Sequence, residues 1–331
     1  MARVSVIIPA YNCAHFLPAT LRSVLAQTYT DFEVVVVDDG STDETPRVLE
    51  LFRASRPRIR YLSQGNAGAA AARNLGLAHA RGEFVAYLDA DDLWYPTKLE
   101  RQVAYLDAHP GVDLVHTDFT TIDDRGNVLR TGFNRETGRP VPRGRCAIDL
   151  LQRCHVQLST VIERRDWVRR LGGFDPSLIC TEDYLRWIRL GLAGAVFGYL
   201  DEPLVKYRWR TGSLSRDERR MLDQFEQLFR ILLRSGLLEQ HAGSGGVRIV
   251  EGRLYELHLR AAYLDRRAGR LRDARRRMLK TLRRWPLRWA PYRELAKACV
   301  PVRLADRVRR ARAEVPPATV TETLGERARA A

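Results

Sequence analysis

Phe84-Val85-Ala86-Tyr87-Leu88-Asp89-Ala90-Asp91-Asp92 is an apolar run of strand length that ends in three carboxylates within four residues. A strand buried on both faces of a parallel sheet reads as a continuous apolar run. In open α/β sheets, ligands bind in the crevice beyond the carboxyl ends of the strands. Like charges packed this closely repel, and a divalent cation among them relieves the repulsion. Carboxylate oxygens suit Mg²⁺ or Mn²⁺, which take one or two carboxylates and fill their remaining positions with phosphate and water. An isolated D-x-D is more often a solvated strand-to-helix loop, so the weight of this one depends on its surroundings.

Before it, Val4-Ser5-Val6-Ile7-Ile8-Pro9 reads as a first strand, followed by a helix carrying Leu17, Leu21, Val24 and Leu25 at helical spacing. Residues 32–37 read as a second buried strand ending in Asp38-Asp39-Gly40-Ser41. Ser41 with Glu44 forms a capping-box pattern, as do Thr97 and Glu100 ahead of another helix. Ile59-Arg60-Tyr61-Leu62 is a short third strand, residues 68–80 an alanine-rich helix, and residues 112–116 a fifth strand. Alternating strands and helices predict a parallel, doubly wound sheet.

After that the rhythm changes. Asp124-Arg125-Gly126-Asn127 marks a hairpin, residues 135–145 read as a loop rich in Gly, Pro and Arg, and a strand is expected near residues 159–162. Thr181-Glu182-Asp183 opens a helix, and residues 196–200 and 204–209 read as two short strands. From about Asp217 the pattern is wholly helical, in segments 221–233, 247–268, 271–285 and from Pro291, with residues 241–246 as a linker. The organisation expected is an α/β domain over residues 1–215, an Arg-rich all-α extension over 216–315 and a flexible tail over 316–331.

Bulk composition narrows the class. Apolar residues make up 45% of 331, enough for a sizeable core. Five scattered cysteines with no C-x-x-C pair argue against a disulfide framework or a structural zinc, and for a reducing, cytoplasmic setting. Residues 4–21 are uncharged, but Pro9, Asn12, His15 and Pro18 make them unlike a membrane span or a signal peptide. The net charge of +15 is uneven: residues 1–215 carry 27 Lys and Arg against 26 Asp and Glu, residues 216–331 carry 28 against 14.

In a doubly wound sheet Asp39 and the pair Asp89/Asp91 end parallel strands on one edge and can face one ligand. A carboxylate there can accept a nucleobase ring N–H, metal-bound carboxylates can bridge a diphosphate, and Arg73 can supply it a cation. Neither G-x-G-x-x-G nor G-x-x-x-x-G-K-[ST] occurs, so a metal with carboxylates is the remaining mode of phosphate binding.

Taken in order, Val4 to Asn12, Val37-Asp38-Asp39-Gly40-Ser41-Thr42-Asp43, Asn66-Ala67-Gly68 through Ala72-Arg73-Asn74, Leu88-Asp89-Ala90-Asp91-Asp92 and Thr181-Glu182-Asp183 resemble the family 2 glycosyltransferases of the GT-A fold, over about residues 3–215. The resemblance implies a Rossmann-like, mainly parallel sheet. It implies inverting transfer of a sugar from a nucleotide diphosphate sugar (UDP first, GDP or dTDP as alternatives) with Mg²⁺ or Mn²⁺, to a saccharide or lipid-linked acceptor in cell-surface polysaccharide or glycoconjugate synthesis. Residue by residue, it implies that Pro9, Ala10 and Tyr11 line the nucleotide pocket, that Asp39 takes the base, and that Asp89 meets the ribose or the metal. Asp91 would be the principal metal ligand and Asp183 the general base. Arg210 stands where many relatives have histidine; it cannot ligate a metal but can pair with the diphosphate. Two rival readings stand beside it: a sugar-1-phosphate nucleotidylyltransferase, whose glycine- and arginine-rich amino-terminal signature is missing, and a non-enzymatic protein gripping nucleic acid or anionic membrane.

The resemblance leaves the basic helical third uncovered. Between residues 260 and 312 lie 19 Lys and Arg against four Asp and Glu, interleaved with Leu271, Met278, Leu282, Trp285, Leu287, Trp289 and Tyr292. Helices with arginines on one face and Trp and Leu on another suit a membrane interface, here the inner face of the plasma membrane. No nucleic-acid partner is expected, since no aromatic-interleaved basic motif or groove-reading module occurs.

Overall fold

The computed structural model describes residues 2–56, 58–153, 155–210 and 217–299. Its apolar runs become the centre of one sheet. β1 (Val4–Ala10), β2 (Phe32–Asp38), β3 (Ile59–Ser63) and β4 (Phe84–Tyr87) pair in parallel in the spatial order β3-β2-β1-β4. β1 and β4 are buried at every position, as their unbroken apolar composition requires. The crossovers are α1 (Leu17–Leu25), α2 (Thr45–Ser55) and α3 (Ala69–His79). Leu17, Leu21 and Val24 of α1 are fully buried against the sheet, each contributing about 1.5–3 kcal/mol. That fixes the loop between β1 and α1. On the other face, a Cβ at Gly76 of α3 would come within 2.7 Å of the Ile7 side chain, so only glycine lets the helix lie this close to β1.

Beyond β4 the sheet turns mixed. The next elements are β5 (Leu93–Trp94), α4 (Lys98–Ala108), β6 (Leu114–Ile122), β7 (Val128–Arg130), α5 (Phe133–Thr137) and α6 (Ala147–Gln152). β8 (Ile162–Arg164), α7 (Asp166–Leu171), α8 (Glu182–Leu192) and β9 (Phe197–Arg208) follow. The sheet continues from β4 through β8-β6-β9-β5: β8 runs antiparallel to both β4 and β6, and β9 runs parallel to β6. The parallel half expected from sequence is β3-β2-β1-β4, and this mixed half completes the sheet.

Several local expectations are corrected. The two strands expected at residues 196–200 and 204–209 are one strand, β9, because Pro203 sits at a register shift opposite Asp118. A bulge is where a strand tolerates a residue without an N–H. The fifth strand is longer than expected, Leu114–Ile122, and it forms the expected hairpin with β7. Within the loop expected at 135–145, residues to Thr137 belong to α5, and Gly144 exchanges two backbone hydrogen bonds with Phe197. The strand expected at 159–162 is a 3₁₀ turn at Leu158–Thr160 followed by β8. Neither capping box forms. Ser41 Oγ accepts the Asn12 N–H at 3.0 Å, and Glu100 Oε2 accepts from Thr28 Oγ1 at 2.6 Å. The start of α2 is held instead by Asp43 Oδ1, which accepts the Thr45 N–H at 2.9 Å.

The helical remainder is α9 (Glu218–Arg234), α10 (Leu237–Arg267), α11 (Leu271–Arg284) and α12 (Ala290–Cys299). The linker expected at 241–246 is a kink inside α10, where Gly243 alone leaves helical geometry with φ 57°. The chain divides into one unit to Leu254 and a second from Tyr255. α9 belongs to the first: Gln224 Oε1 accepts the Ile179 N–H at 2.7 Å, and Phe225 and Phe229 meet the Tyr184 ring edge-on. Cys154, residues 211–216 and the tail expected at 316–331 lie outside the described residues.

Candidate active site

The loops after β1 and β2 lace together over the sheet edge. Asn12 takes a left-handed φ of 45°, which its short polar side chain tolerates, and its Oδ1 accepts the Thr42 N–H at 2.8 Å. Gly40 also has positive φ, 74°, and a Cβ there would meet the Asn66 backbone nitrogen at 2.7 Å. The chain can therefore turn sharply after Asp39 only with glycine.

The two acids ending β2 have different surroundings. Asp38 turns to structure, accepting the Ser41 N–H at 3.0 Å and the Tyr61 hydroxyl at 3.3 Å. Asp39 lines the cleft, and its carboxylate accepts from Gln64 Nε2 at 2.7 Å, Ala67 N at 2.9 Å and Gly68 N at 2.8 Å. A carboxylate offers about four acceptor positions, so a further donor can still be taken.

The three acids after β4 separate in the same way. Asp92 is wholly buried: it accepts from Ser159 Oγ at 2.6 Å, Gln157 Nε2 at 3.2 Å and the Arg208 N–H at 2.8 Å. It pins β9 to the β4 loop. Burial, reinforced by the charges of Asp91 and Asp89, pushes its carboxyl well above the usual range. Asp89 and Asp91 line the cleft. The Asp91 carboxyl is likewise pushed up, first by burial and then by the charge of Asp89, with Arg210 opposing.

Arg73 is buried on α3 and its guanidinium bridges two carboxylates, Glu182 Oε1 at 2.5 Å and Asp89 Oδ1 at 2.7 Å, beside the Phe174 ring. Its charge is thus already shared between the end of β4 and the start of α8. Asp183, next to Glu182, accepts the Tyr184 N–H at 2.7 Å. Burial and the neighbouring charge of Glu182 push its carboxyl up to about 7, with Arg73 opposing. A carboxylate poised near neutrality can take a proton at physiological pH. α8 is anchored beneath by a buried pair, Arg186 Nη2 to Glu163 Oε1 at 2.6 Å, with the Tyr87 hydroxyl also donating to Glu163.

All nine residues nominated from sequence, Pro9, Ala10, Tyr11, Asp39, Arg73, Asp89, Asp91, Asp183 and Arg210, line a single open cleft of about 480 Å³. Arg210, just past β9, pairs its Nε with Asp91 Oδ2 at 2.8 Å and stacks over Phe16. Sequence reasoning did not foresee Glu182 as the partner of Arg73, nor Gln157 and Tyr207 in the lining. Glu182 stood in the quoted Thr181-Glu182-Asp183, and Tyr207 in the Tyr207-Arg208 pair that precedes Arg210, though neither was given a role; Gln157 carried no signal. Among the described residues no three His, Cys, Asp or Glu side chains form a cage for a metal ion.

Residues 5–160 match the family model described as glycosyl transferase family 2. An uncharacterised glycosyltransferase of Rickettsia felis is 32% identical over 214 residues, 64% of this chain and 34% of that protein, so the chain spans about a third of that relative's length. An Escherichia coli enzyme named UDP-Glc:alpha-D-GlcNAc-diphosphoundecaprenol beta-1,3-glucosyltransferase is 32% identical over 65% of this chain and 80% of that protein. Among solved structures, a mannosyltransferase from Pyrobaculum calidifontis in complex with GDP-Man and Mn²⁺ shares the fold at 22% identity and TM-score 0.59, covering 94% of this chain and 79% of that one. With the family match over residues 5–160 and 32% identity across four fifths of the glucosyltransferase, the chain belongs to the family 2 glycosyltransferases.

Proposed function

We propose that the chain is an inverting glycosyltransferase that moves a sugar from a nucleotide diphosphate sugar to a hydroxyl of a saccharide or lipid-linked acceptor, in building cell-surface polysaccharide or glycoconjugate. The observation that carries this reading is one cleft lined by Asp39, the Asp89/Asp91 pair and an Asp183 carboxyl raised to about 7. Asp39 takes the base N–H, with Pro9, Ala10 and Tyr11 as walls of the nucleotide site. Asp183 accepts the acceptor hydroxyl's proton as that oxygen attacks the anomeric carbon from the face opposite the departing diphosphate. UDP is the favoured nucleotide, since the glucosyltransferase relative is named for a UDP-sugar.

The residues suit a divalent cation. A desolvated Asp91 beside the charge of Asp89 has its carboxyl raised, and a cation there relieves that repulsion. With only one or two carboxylates available, Mg²⁺ or Mn²⁺ would be held by Asp91, with Asp89 near it, and would offset the charge developing on the diphosphate. Arg210 holds Asp91 as its counter-cation otherwise, and Arg73 orders Asp89 and Glu182 rather than meeting the diphosphate alone.

The test is a thermal-shift panel of UDP-, GDP- and dTDP-sugars with and without Mn²⁺, since a ligand that binds the native state raises its melting temperature. A rise with one nucleotide class, larger with Mn²⁺ and absent in Asp39→Ala, is expected. No shift with any nucleotide sugar at millimolar concentration contradicts the reading.

A further inference from the structure

The unit from Tyr255 has its own small core and its own charge pattern. Across residues 255–299 there are 14 Lys and Arg against four Asp and Glu. Two of those acids are spent inside the unit. Asp265 pairs with Arg270 at 2.9 Å and lies 3.8 Å from Arg277; Glu294 pairs with Lys297 at 2.7 Å and lies 3.5 Å from Arg293. From Ala274 to Arg293 there is no acid at all and there are eight cations. Arg276, Lys280, Arg283, Arg284, Arg288 and Arg293 are all exposed.

The apolar residues of this stretch divide in two. Ala274 and Met278 of α11 are buried, and Trp285 packs edge-on against Tyr255 and His258 of α10. The faces expected from sequence to lie flat on a membrane are therefore largely used within the unit. The turn between α11 and α12 is not. Leu287 is 99% exposed and Trp289 66% exposed, with Tyr292 just beyond them also exposed. The Tyr292 hydroxyl donates to the Pro286 carbonyl at 3.0 Å, which closes the turn, and Arg293 lies over the Trp289 ring.

Single exposed apolar residues are ordinary on a protein surface. A leucine and a tryptophan exposed together in a proline-flanked turn, within a stretch of sequence from Ala274 to Arg293 that carries eight cations and no acid, are not explained by dispersed exposure. Tryptophan and tyrosine favour the headgroup level of a bilayer, and each nearby Lys or Arg is drawn to anionic lipid. No helix among the described residues is long and apolar enough to cross a membrane, which leaves insertion from one side. A leucine at the apex suits acyl chains rather than a stacked base, which favours lipid over nucleic acid.

We propose that the α11–α12 turn, through Leu287 and Trp289 with the surrounding arginines, is a membrane-insertion site for an anionic bilayer. It stands apart from the transferase reading and does not depend on it.

The experiment uses the full chain with vesicles of phosphatidylcholine alone or mixed with phosphatidylglycerol, followed by co-sedimentation and tryptophan emission. Leu287→Glu/Trp289→Glu is compared with wild type and with Trp289→Phe; both positions are exposed, and circular dichroism checks the fold. Wild type is expected to bind the anionic vesicles, less so as salt rises, with a blue shift of emission. The double variant is expected to lose about tenfold or more in apparent affinity, while Trp289→Phe retains binding. Equal binding by wild type and the double variant, or no wild-type binding to anionic vesicles at low salt, overturns the proposal. So does tight binding to duplex DNA with none to vesicles. Thermal shift by nucleotide sugar, measured on the same double variant, separates failure here from failure of the donor site.

Discussion

Arg73→Gln is the perturbation that reaches furthest through the site. The guanidinium is 6% exposed and holds Glu182, 7% exposed, at 2.5 Å and Asp89, 29% exposed, at 2.7 Å. Removing it leaves one carboxylate buried and a second half-buried without their shared cation. A charge-assisted hydrogen bond is worth about 1.5–3 kcal/mol, and breaking a buried pair by deleting one partner costs about 3–5 kcal/mol. The partial exposure of Asp89 discounts its share, so a loss of about 3–4 kcal/mol is expected in urea unfolding. Arg73 also opposes the upward push on Asp183, so any surviving activity should have the midpoint of its rise with pH, the acidic limb, moved to higher pH. Arg73→Gln/Glu182→Gln should be less destabilised than the two single costs combined, by 1 kcal/mol or about that much. A loss under about 1 kcal/mol for Arg73→Gln, or strict additivity in the cycle, would refute this reasoning.

Other outcomes are specific to single groups. Asp183→Asn should lower transfer by about 10²–10⁴-fold with donor affinity unchanged; near wild-type turnover removes Asp183 as base. The wild-type rate should rise with pH and level off above about 7, because the base must be unprotonated. The same shift has a stability consequence. A carboxyl raised in the folded state favours that state at low pH and loses this advantage as pH climbs through about 7. Asp183→Asn should therefore melt higher than wild type at alkaline pH and not below the usual carboxylate range. Arg210→Ala should raise the affinity of the donor-free chain for Mn²⁺ by about fivefold in calorimetry, the scale of a half-exposed ion pair; an unchanged affinity means Arg210 does not compete at Asp91. Lys98 is fully buried between Gln102 Oε1, at 2.6 Å, and the Trp94 ring, and burial holds its ammonium well below the usual value. Lys98→Met should then gain most in melting temperature as pH falls, since the wild-type chain must bury a charge there; equal shifts at all pH values contradict this.

The parallel half of the sheet was legible because three of its four strands, β1, β2 and β4, are local apolar runs, and the cleft was legible because acids at strand ends share an edge whatever the rest does. The mixed half was not. β8 has three residues, too short for a pattern, and the break around Pro203 split the reading of β9 because a bulge in β9 shows only against the register of its partner β6. The capping boxes failed for the opposite reason: Ser41 and Glu100 found partners 29 and 72 residues away that outcompete the local motif. Asp91 and Asp92 are indistinguishable as adjacent letters, yet one faces the cleft and the other ties down β9. Arg73 looked like a free cation because its partners lie 16 and 109 positions along the chain. In the basic third, composition gave the charge but not which apolar residues the helices would consume; only the packing separates Met278 from Leu287.

The most direct measurement is a crystal structure of the chain grown with a UDP-sugar and Mn²⁺, with anomalous diffraction collected at the manganese edge. The proposed function predicts one manganese peak between Asp91 and the donor's diphosphate, the base against Asp39, and Arg210 drawn off Asp91. A donor bound with no manganese beside Asp91, or a nucleotide seated outside the cleft, would contradict it.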